Sequence, residues 1–446
     1  MATRRIVILG GGFAGVTTAR KLEKELRAHP DVEILLVSRA NFFVLTPLLF
    51  EACSGTLELR HCAQPIRPAL RRSRFVEADV TSVDVERSVV HLTAEGIESE
   101  LAYDHLVVAL GASTNFKLIP GSENAFTFKT MADALVLRNH FIEQLERADA
   151  TTDASLRARA LTFVVIGGGL VGIELLGELT AFADNVLRFY PRIRREELRF
   201  HLFEATARIL PEVNQKLASV ATRVLNKRGA QLRASTPVQR IEPERVHIQG
   251  EIIDASTIVL AAGIVPNVTV NRIGVARDPK GRIAVSSAMR STSHPSVWAL
   301  GDCASIPGPD GKPYPALAQH AVREAKQLAR NIAAVVQGRE PKPFVFRMLG
   351  TMASLGHSRA VAQVMGVQLT GFIAWWFRRT YYLLQMPRWD RRLRIVLDWT
   401  IALFFRPDIT KVDLAVEHDQ LLRDSGSDRA ALIEGNTVRQ LEESIA

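Results

Sequence analysis

The feature that most constrains this chain is a glycine-rich turn that occurs twice, each time directly after an apolar segment. The first turn, residues 10–15, follows the apolar residues 5–9, and the second, residues 167–172, follows residues 161–166. Each turn is followed by a helical pattern and then by a second apolar segment. Strand, glycine turn, helix and strand in this order form a βαβ unit, so the sequence predicts two dinucleotide-binding folds.

The order of these segments also predicts how the chain divides. Further along the chain, each of the two units has another apolar strand that ends in a small-residue turn, at residues 106–111 and 258–263. From Pro343 onward the sequence changes to glycine-interrupted strands and then to segments rich in aromatic residues and arginine. We therefore predict an α/β fold with two Rossmann-like domains and a C-terminal α+β module with amphipathic helices. The predicted boundaries are 1–120 with 276–345 for the first domain, 121–275 for the second, 346–410 for the C-terminal module and 411–446 for a polar tail.

The spaced glycines of the first turn suit a bound pyrophosphate. Gly10 permits the tight bend, Gly12 lets the backbone approach the phosphates, and Gly15 lets helix and strand pack closely. The helix that follows adds free amides and a positive dipole end. A turn with only a structural role is the alternative. The second strand ends in Ser38 and Arg39 instead of the usual acid: Ser38 can bond a ribose hydroxyl, and Arg39 faces adenine or phosphate unless it is a solvated charge.

The second turn differs because an acid ends the second strand of its unit. Glu204 can accept hydrogen bonds from a ribose 2′-hydroxyl and would repel a 2′-phosphate, which predicts NADH in preference to NADPH. An arginine-rich insertion at residues 188–199 lengthens the usual spacing, so a surface charge is the alternative for Glu204. Glu174 and Glu178 share one helix face; we expect Glu174 near the nicotinamide, unless both lie on a solvated face. The glycines of this turn are Gly167, Gly169 and Gly172.

A strand that stops at Gly301 and is followed by Asp302 indicates a flavin site. Such an acid can hold a ribityl hydroxyl of FAD, whereas in isolation it would be an ordinary turn. The helix that begins near Pro315 can aim its N-terminal amides at the flavin pyrimidine and stabilise the negative charge of reduced flavin. Gln319 and His320 are then candidates for the electron-acceptor side, and a position on the helix surface is the alternative for His320.

Composition and charge argue against several other classes of protein. The chain has 446 residues, a formal charge of +9 and only three cysteines, none in a CxxC or CxxxxC pair. This argues against a disulfide framework, a redox-active disulfide or a zinc ribbon, and no metal site is predicted. No segment reaches the roughly 18 uninterrupted apolar residues of a spanning helix. The excess charge concentrates in the insertion and in the C-terminal residues 367–407, without aromatic platforms, so nucleic acid is not expected as a partner.

These motifs together resemble the type II NADH:quinone oxidoreductase family, within the superfamily of flavoproteins that have two dinucleotide-binding domains. The resemblance rests on the two glycine turns, residues 46–51 (Thr-Pro-Leu-Leu-Phe-Glu), Gly301 with Asp302, and Ala318 with Gln319. It implies FAD and NADH as cofactors, a hydride passed from NADH to flavin N5, and electrons passed to a membrane quinone near Gln319, without proton pumping. Two positions depart from the family's pattern, because Arg323 stands in place of a second glutamine and Ser38 in place of an acid.

Residue chemistry and resemblance together define the candidate site. The candidate catalytic residues are Gln319, His320 and Glu174. The expected FAD contacts are Gly10, Gly12, Phe13, Ala14, Gly15, Ser38, Arg39, Thr46, Pro47, Leu48, Ala109, Gly111, Gly301, Asp302, Ala318 and Gln319. The expected NADH contacts are Gly167, Gly169, Leu170, Gly172, Glu174, Glu204, Ala262 and Gly263. Two other activities stay open: a soluble reductase that passes electrons from NAD(P)H to a ferredoxin-like protein, and a flavin-bound redox sensor.

The C-terminal module is expected to bind a membrane surface. Residues 367–407 contain seven arginines and two aspartates, a local charge of +5 that suits anionic lipid head groups. Two helical stripes of apolar residues accompany this charge. We expect the module to lie peripherally on the cytoplasmic side of the inner or plasma membrane and to open a route for quinone. Packing on the protein itself or in a homodimer is the alternative.

Two further expectations concern the same module. Its aromatic residues are expected in the interfacial layer of the membrane. Removal of the chain from Gly371 onward is expected to leave FAD binding and NADH oxidation by a water-soluble dye intact. The first apolar stripe comprises Leu369, Phe372, Ile373, Trp376, Leu383 and Leu384. The aromatic residues expected in the interfacial layer are Trp375, Tyr381, Tyr382, Trp389 and Trp399.

Overall fold

The computed structural model describes residues 4–386, 388–405 and 407–412. The predicted polar tail therefore lies outside the described residues from position 413 on. Within the described ranges the chain forms two five-stranded parallel sheets and a C-terminal antiparallel sheet that is followed by two helices. The predicted α/β fold class is confirmed.

The first parallel sheet is built on the strand that precedes the first glycine turn. The elements of residues 4–114 are β1 Arg4–Leu9, α1 Phe13–Glu25, β2 Val32–Ser38, β3 Phe42–Val44, α2 Thr46–Cys53, β4 Ala63–Pro65, β5 Arg74–Glu77, β6 Asp79–Asp84, β7 Val89–Ala94, β8 Ile97–Ala102, β9 His105–Val108 and β10 Ala112–Thr114. β1 lies between β2 and β9, with Ile6 opposite Ile34 and Val7 opposite Leu106. Residues 6–9 are fully buried, which explains why this strand is a continuous apolar run.

The second parallel sheet repeats this arrangement around the second glycine turn. Its strand order is β11-β18-β12-β13-β14, and the glycine turn follows the central strand β12. Phe163 and Val164 in that strand are fully buried. The elements are β11 Phe126–Thr127, α3 Met131–Ala150, α4 Ala154–Ala160, β12 Thr162–Ile166, α5 Leu170–Val186, β13 Arg199–Phe203, α6 Gln215–Lys227, β14 Ala230–Arg233, β15 Val238–Glu242, β16 Arg245–Ile248, β17 Glu251–Asp254, β18 Thr257–Leu260 and β19 Ile264–Pro266.

After the second sheet the chain returns to the first one. The returning elements are β20 Ile283–Ala284, β21 Val297–Ala299, β22 Ala304–Ser305 and α7 Ala318–Val336. β21 pairs with β9, so the first sheet has the order β21-β9-β1-β2-β5. α7 packs against α1. The residues around Gly301 and at the start of α7 are thereby brought to the same sheet as the first glycine turn.

The two parallel sheets meet at the ends where their strands finish. β10 and β19 follow the small-residue turns after β9 and β18, and they pair with each other, with Ser113 opposite Val265. Asn115 N donates to the Gly263 carbonyl over 3.1 Å, and Asn267 N donates to the Gly111 carbonyl over the same distance. The carboxyl edges of the two sheets are thus joined, and ligands bind at such edges in open α/β folds.

The C-terminal module consists of a small antiparallel sheet and a helical hairpin. Its elements are β23 Gly350–Ser354, β24 Ala360–Val364, β25 Val367–Thr370, α8 Gly371–Gln385 and α9 Trp389–Phe404. α8 packs on the sheet, and Ala374 and Trp375 form a small core with Ala360 and Ala362. None of the helices in the described ranges combines the length and the apolar character that a bilayer crossing requires.

Candidate active site

The first glycine turn has the shape that a pyrophosphate requires. Gly10 has a φ of +107°, and an added Cβ there would collide with the Ala109 carbonyl oxygen. An added Cβ at Gly15 would collide with the Gly10 carbonyl oxygen, so this glycine serves helix packing. In contrast, an added Cβ at Gly12 would meet no atom within 4 Å. Gly12 is the N-cap of α1, and the open space in front of it is next to the free amides of the helix.

The second turn has the same backbone construction, except that an added Cβ at Gly169 would lie 3.1 Å from Glu212 Oε1, whereas Gly12 borders open space. Gly167 has a φ of +113°, and an added Cβ there would lie 2.7 Å from the Ala262 Cβ. An added Cβ at Gly172 would collide with the Gly167 carbonyl oxygen. Gly169 is the N-cap of α5, which begins at Leu170. Both turns therefore place a helix N-terminus at the edge where the two sheets meet.

Ser38 and Glu204 occupy equivalent places beside the two turns. An added Cβ at Gly11 would lie 2.7 Å from Ser38 Oγ, and one at Gly168 would lie 3.2 Å from Glu204 Oε2. Glu204 also accepts hydrogen bonds from Gly168 N at 2.6 Å and from Thr206 N at 2.8 Å. A carboxylate has about four acceptor positions, so Glu204 keeps capacity for a ribose hydroxyl. Arg39 is exposed at the end of β2.

The Gly301–Asp302 turn lies against the first glycine turn. An added Cβ at Gly301 would lie 3.6 Å from the Ala14 Cβ and 3.8 Å from the Ala321 Cβ, so the starts of α1 and α7 converge on it. Burial raises the pKa of Asp302, and the ammonium of Lys129 opposes this shift. A half-buried acid that faces a cleft lined by helix N-termini fits the predicted contact with a ribityl hydroxyl.

Gln319 and His320 begin α7 but differ in environment. Gln319 Nε2 donates to the Gly350 carbonyl over 3.1 Å, which ties the helix to the C-terminal sheet. His320 is only 3% exposed and packs edge-on against Phe346. Burial lowers the pKa of His320, and the nearby Arg323 lowers it further. The alternative of a surface position for His320 is wrong, because the side chain is buried.

Several expected contacts serve packing rather than an open surface. Leu48 is completely buried, which leaves it no surface toward a ligand, and Ala109 lies behind Gly10. The backbone around Gly111 and Gly263 adopts positive φ values of +67° and +74°. An added Cβ at Gly111 would meet nothing within 4 Å, so this glycine borders open space.

Glu174 and Glu178 lie in a buried network of charges. They are 6% and 3% exposed, so the alternative of a solvated helix face is wrong. Glu174 accepts a hydrogen bond from Ser354 N at 2.7 Å and lies 2.8 Å from the Arg378 guanidinium. Glu178 accepts hydrogen bonds from Ser354 Oγ and from Ser54 Oγ. Burial raises the pKa of both carboxyl groups, although the cation of Arg378 opposes the shift in Glu174.

The same network includes Glu51, which the sequence did not single out. Glu51 is 1% exposed and lies 3.3 Å from Arg378 and 2.9 Å from Arg379. Its carboxylate also accepts a hydrogen bond from Trp399 Nε1 at 2.8 Å. Arg378 donates in addition to the Pro47 carbonyl over 2.7 Å. The network therefore connects α2, α5 and α8, which belong to three different parts of the fold.

These contacts correct the expectations for the C-terminal charges and aromatic residues. Arg378 and Arg379 are buried in the network, so neither is available to lipid head groups. Trp375 is buried beneath Arg379, so it does not belong to an interfacial layer, and the indole N–H of half-buried Trp399 is bonded to Glu51. Leu369 lies in β25 and not on the helical stripe.

An apolar surface nevertheless remains on the helical hairpin. These side chains are between 40% and 79% exposed, and they belong to both helices. Trp389 is 75% exposed and lies at the start of α9. The exposed apolar residues are Phe372, Ile373, Trp376 and Leu384 on α8, and Leu393, Val396, Leu397, Ile401 and Phe404 on α9.

The three cysteines are buried thiols. Burial raises the pKa of Cys53 and of Cys303 to about 12, and it raises the pKa of Cys62 as well. A thiol must ionise to act as a nucleophile. These cysteines are therefore packing residues at neutral pH.

Known proteins share this sequence and architecture. Residues 4–325 match the family model for pyridine nucleotide-disulphide oxidoreductase, and residues 348–408 match the NDH2 C-terminal domain. A probable NADH dehydrogenase of Dictyostelium discoideum is 30% identical, with 91% of each chain covered. The type II NADH:quinone oxidoreductase Ndh of Mycobacterium tuberculosis is 29% identical, with 89% of this chain and 88% of the relative covered.

A solved structure gives the same result for the fold. NDH2 from Plasmodium falciparum in complex with NADH matches with a TM-score of 0.85 at 20% identity, covering 92% of this chain and 100% of that one. The predicted cofactors, FAD and NADH, are those of the family. From the match of both family models and the relatives along nearly the whole chain, we conclude that this oxidoreductase belongs to the type II NADH:quinone oxidoreductase family.

Proposed function

We propose that this enzyme passes a hydride from NADH to FAD and then passes electrons to a quinone at a membrane surface, without pumping protons. The observation that carries the proposal is the pairing of β10 with β19, which joins the carboxyl edges of the two parallel sheets. Two dinucleotides bound at these edges face each other. Hydride transfer needs donor and acceptor held in contact and shielded from water, and this arrangement supports both.

The first glycine turn is the proposed FAD site. The open space in front of Gly12 and the amides of α1 fit the pyrophosphate, and Asp302 fits a ribityl hydroxyl. Ser38, beside the turn, is the proposed partner of the adenosine ribose. When bound, FAD supplies the hydride acceptor and the electron donor for the quinone. The residues of the chain bind and orient it.

The second glycine turn is the proposed NADH site. The amides at the start of α5 fit the dinucleotide phosphates, and Glu204 fits the ribose 2′-hydroxyl. The negative charge of Glu204 disfavours NADPH. Glu174, five residues beyond Gly169, is held by Arg378 and Ser354, and we propose that it lies near the nicotinamide.

Gln319 is the proposed residue closest to the quinone. Its side chain is bonded to the Gly350 carbonyl, so the start of α7 lies next to the C-terminal module. The exposed apolar surface of α8 and α9 supports a position at a lipid surface, where long-chain quinones dissolve. We place that surface on the cytoplasmic side, with anionic lipids near the exposed Arg394.

Spectroscopy of the purified protein tests donor, cofactor and acceptor together. We expect a yellow protein whose flavin absorbance is bleached by NADH under anaerobic conditions and restored by a short-chain ubiquinone or naphthoquinone. A colourless protein would contradict the FAD assignment. Reoxidation by a ferredoxin but by neither quinone would favour the soluble reductase, and the absence of steady turnover would favour the redox sensor.

A further inference from the structure

Glu324 lies directly behind the Gly301–Asp302 turn. It belongs to the second turn of α7, is 3% exposed, and accepts a hydrogen bond from Gly301 N at 2.9 Å. That amide precedes Asp302, the acid that faces the proposed flavin site. Gly301 has a φ of +71°, a region that glycine adopts readily in more than one turn geometry. The hydrogen bond from Gly301 N to Glu324 therefore favours the orientation in which the turn presents Asp302.

Packing alone does not hold this turn. A cavity of about 10 Å³ lies beside it, lined by Gly301, Asp302, His320 and Glu324 among others. Such a volume is about that of one water-sized sphere. The ring nitrogen Nδ1 of His320 is buried and has no hydrogen-bond partner in the described part of the chain. Side chains do not fill this space, so the bond from Gly301 N to Glu324 restrains the turn together with the bonds from Leu300 N to the Val108 carbonyl and from Ala304 N to the Gly301 carbonyl.

The ionisable groups around Glu324 are of both signs. On the turn, the charge of Asp302 acts on Glu324, and the ammonium of Lys129 acts in turn on Asp302. Burial raises the pKa of Glu324 to about 7; the bond from Gly301 opposes this shift, and the charge of Asp302 adds to it. His320 and Arg282 also line the cavity, while Arg323 lies beside His320. The neutral form of Glu324 thus coexists with ionised Asp302, whereas the anion repels it.

We propose that Glu324 is a positioning residue for the flavin: it holds the Gly301–Asp302 turn by accepting the hydrogen bond from Gly301 N, and the neutral acid does so without repelling Asp302. This inference rests on the proposed FAD site. A neutral acid keeps the acceptor for Gly301 N and adds no second negative charge beside Asp302 and the FAD phosphates. An ionised Glu324 keeps the acceptor but adds that charge. FAD retention is therefore expected to weaken as pH rises.

The direction in which FAD release depends on pH follows from proton binding by Glu324. A glutamate in water loses its proton near its ordinary pKa of 4.5, whereas Glu324 in the folded protein keeps it up to about pH 7. Loss of this proton occurs in the folded protein as pH rises through the neutral range. FAD release is then slow below that range and faster above it.

The rate of FAD release from the holoenzyme tests the proposal without measuring turnover. The holoenzyme is diluted, and the FAD that it releases is followed by fluorescence at pH values from about 6 to about 9, a range that spans neutrality. In Glu324→Leu, which has no acceptor for Gly301 N and no ionisable group, we expect release to be about ten-fold faster than in the wild type at low pH, in line with one buried hydrogen bond lost, and not to change with pH. In Glu324→Gln, which keeps a carbonyl acceptor and cannot ionise, we expect the slow wild-type rate of low pH to persist at high pH.

A matched control separates positioning from general loss of stability. Asn331, also on α7 and 1% exposed, bonds the backbone of Ala288 and Lys342 instead of the turn. Asn331→Leu should lower the unfolding temperature but leave the rate of FAD release and its pH profile close to wild type. Equal acceleration in Asn331→Leu and Glu324→Leu would overturn the inference. The inference would also be overturned if the rate of FAD release from Glu324→Gln rose with pH as the wild-type rate does.

The failure of this inference is distinct from failure of the proposed function. If Gly12→Val loses FAD while Glu324→Leu retains it as wild type does, the FAD site stands and the role of Glu324 is wrong. If the wild-type protein carries no FAD, or if Gly12→Val retains it, the proposed site itself is wrong and the inference falls with it.

Discussion

The guanidinium of Arg378 lies 2.8 Å from the carboxylate of Glu174, and both side chains are almost completely buried. Arg378 belongs to α8 of the C-terminal module, and Glu174 lies just beyond the second glycine turn. The same guanidinium lies 3.3 Å from Glu51, on the helix that begins with Thr46 and Pro47. Buried charges therefore join the C-terminal module to both dinucleotide-binding units.

This contact reverses the expectation for the truncated protein. Without residues from 371 onward, Glu51 and Glu174 would be left without their guanidinium partners. An uncompensated buried charge is costly. We therefore expect the truncated chain to lose stability and FAD along with its apolar surface, and not to remain a soluble, dye-reducing enzyme.

A single substitution tests the network more sharply than truncation. Arg378→Met should lower the free energy of unfolding by about 3 to 5 kcal/mol, because it leaves the buried Glu174 without a guanidinium partner and removes one of the two that Glu51 has. Arg378→Lys should recover part of this loss. Arg394→Met, an exposed position on α9, is the matched control and should change stability by no more than about 0.5 kcal/mol. Urea unfolding of the three variants measures the difference; equal stability for all three would contradict the network.

The glycine turns and the acids at strand ends were predictable because their geometry depends on a few adjacent residues. Gly10 and Gly15 are only five positions apart, and the collision between them is decided by the turn itself. Ser38 and Glu204 follow directly from where a strand ends. These parts of the site depend on local spacing, which a sequence displays.

The charge network was not predictable by the same means. Glu51 and Arg378 are 327 positions apart in the sequence. Glu174 and Glu178 are four residues apart, and this spacing is the same whether the helix face is solvated or buried. A signal was present, however: Glu51 stands within the apolar run Leu-Leu-Phe-Glu-Ala-Cys, and Arg378 with Arg379 follows an apolar aromatic run. Charged residues at core positions are almost always paired, although the sequence does not say with which partner.

The interfacial aromatic residues show the same limit. Trp375 and Trp399 have the spacing and composition of a membrane-facing stripe, but both pack around Arg379, at 3.9 Å and 4.7 Å from its guanidinium carbon. Amphipathic periodicity predicts which residues share a face. It does not predict whether that face packs on the protein or on lipid, because both environments are apolar.

Nucleotide preference depends on the charge of Glu204. Glu204→Gln should weaken NADH binding and reduce the difference in affinity between NADH and NADPH. The reason is that the variant no longer repels the 2′-phosphate of NADPH, a repulsion of about 1 to 3 kcal/mol. The variant keeps one carbonyl acceptor for Gly168 N or Thr206 N, so the turn should persist. Glu251→Gln, on the exposed strand β17, is the control. Binding titrations with both dinucleotides check the result. An unchanged preference for NADH would show that the ribose does not contact Glu204.

The two kinds of glycine in the first turn should respond differently to a side chain. Gly12→Val adds atoms only to the open space before α1, so the protein should fold, stay soluble and lack FAD. Gly15→Val puts the same side chain against the Gly10 carbonyl and should prevent correct folding. Absorbance and circular dichroism of the two variants distinguish these outcomes. A yellow Gly12→Val protein would exclude this turn as the pyrophosphate site.

The exposed apolar surface of α9 should govern membrane binding. Leu393, Leu397 and Ile401 lie on one face of the helix and are 51%, 52% and 55% exposed. Because full burial of one such side chain is worth about 1.5 to 3 kcal/mol, replacement of all three by serine should weaken vesicle binding by at least about ten-fold.

Co-sedimentation with vesicles of phosphatidylglycerol and phosphatidylcholine measures this binding, with pure phosphatidylcholine to separate the contribution of charge. Ile97→Ser with Ile252→Ser is the control, since both residues are more exposed but lie on β8 and β17, far along the chain from the hairpin. The triple variant should retain bleaching by NADH and reoxidation by a short-chain quinone, while turnover with a long-chain quinone in vesicles falls. If vesicle binding is unchanged and the variant instead converts a dimer to a monomer in gel filtration, the face is a subunit interface.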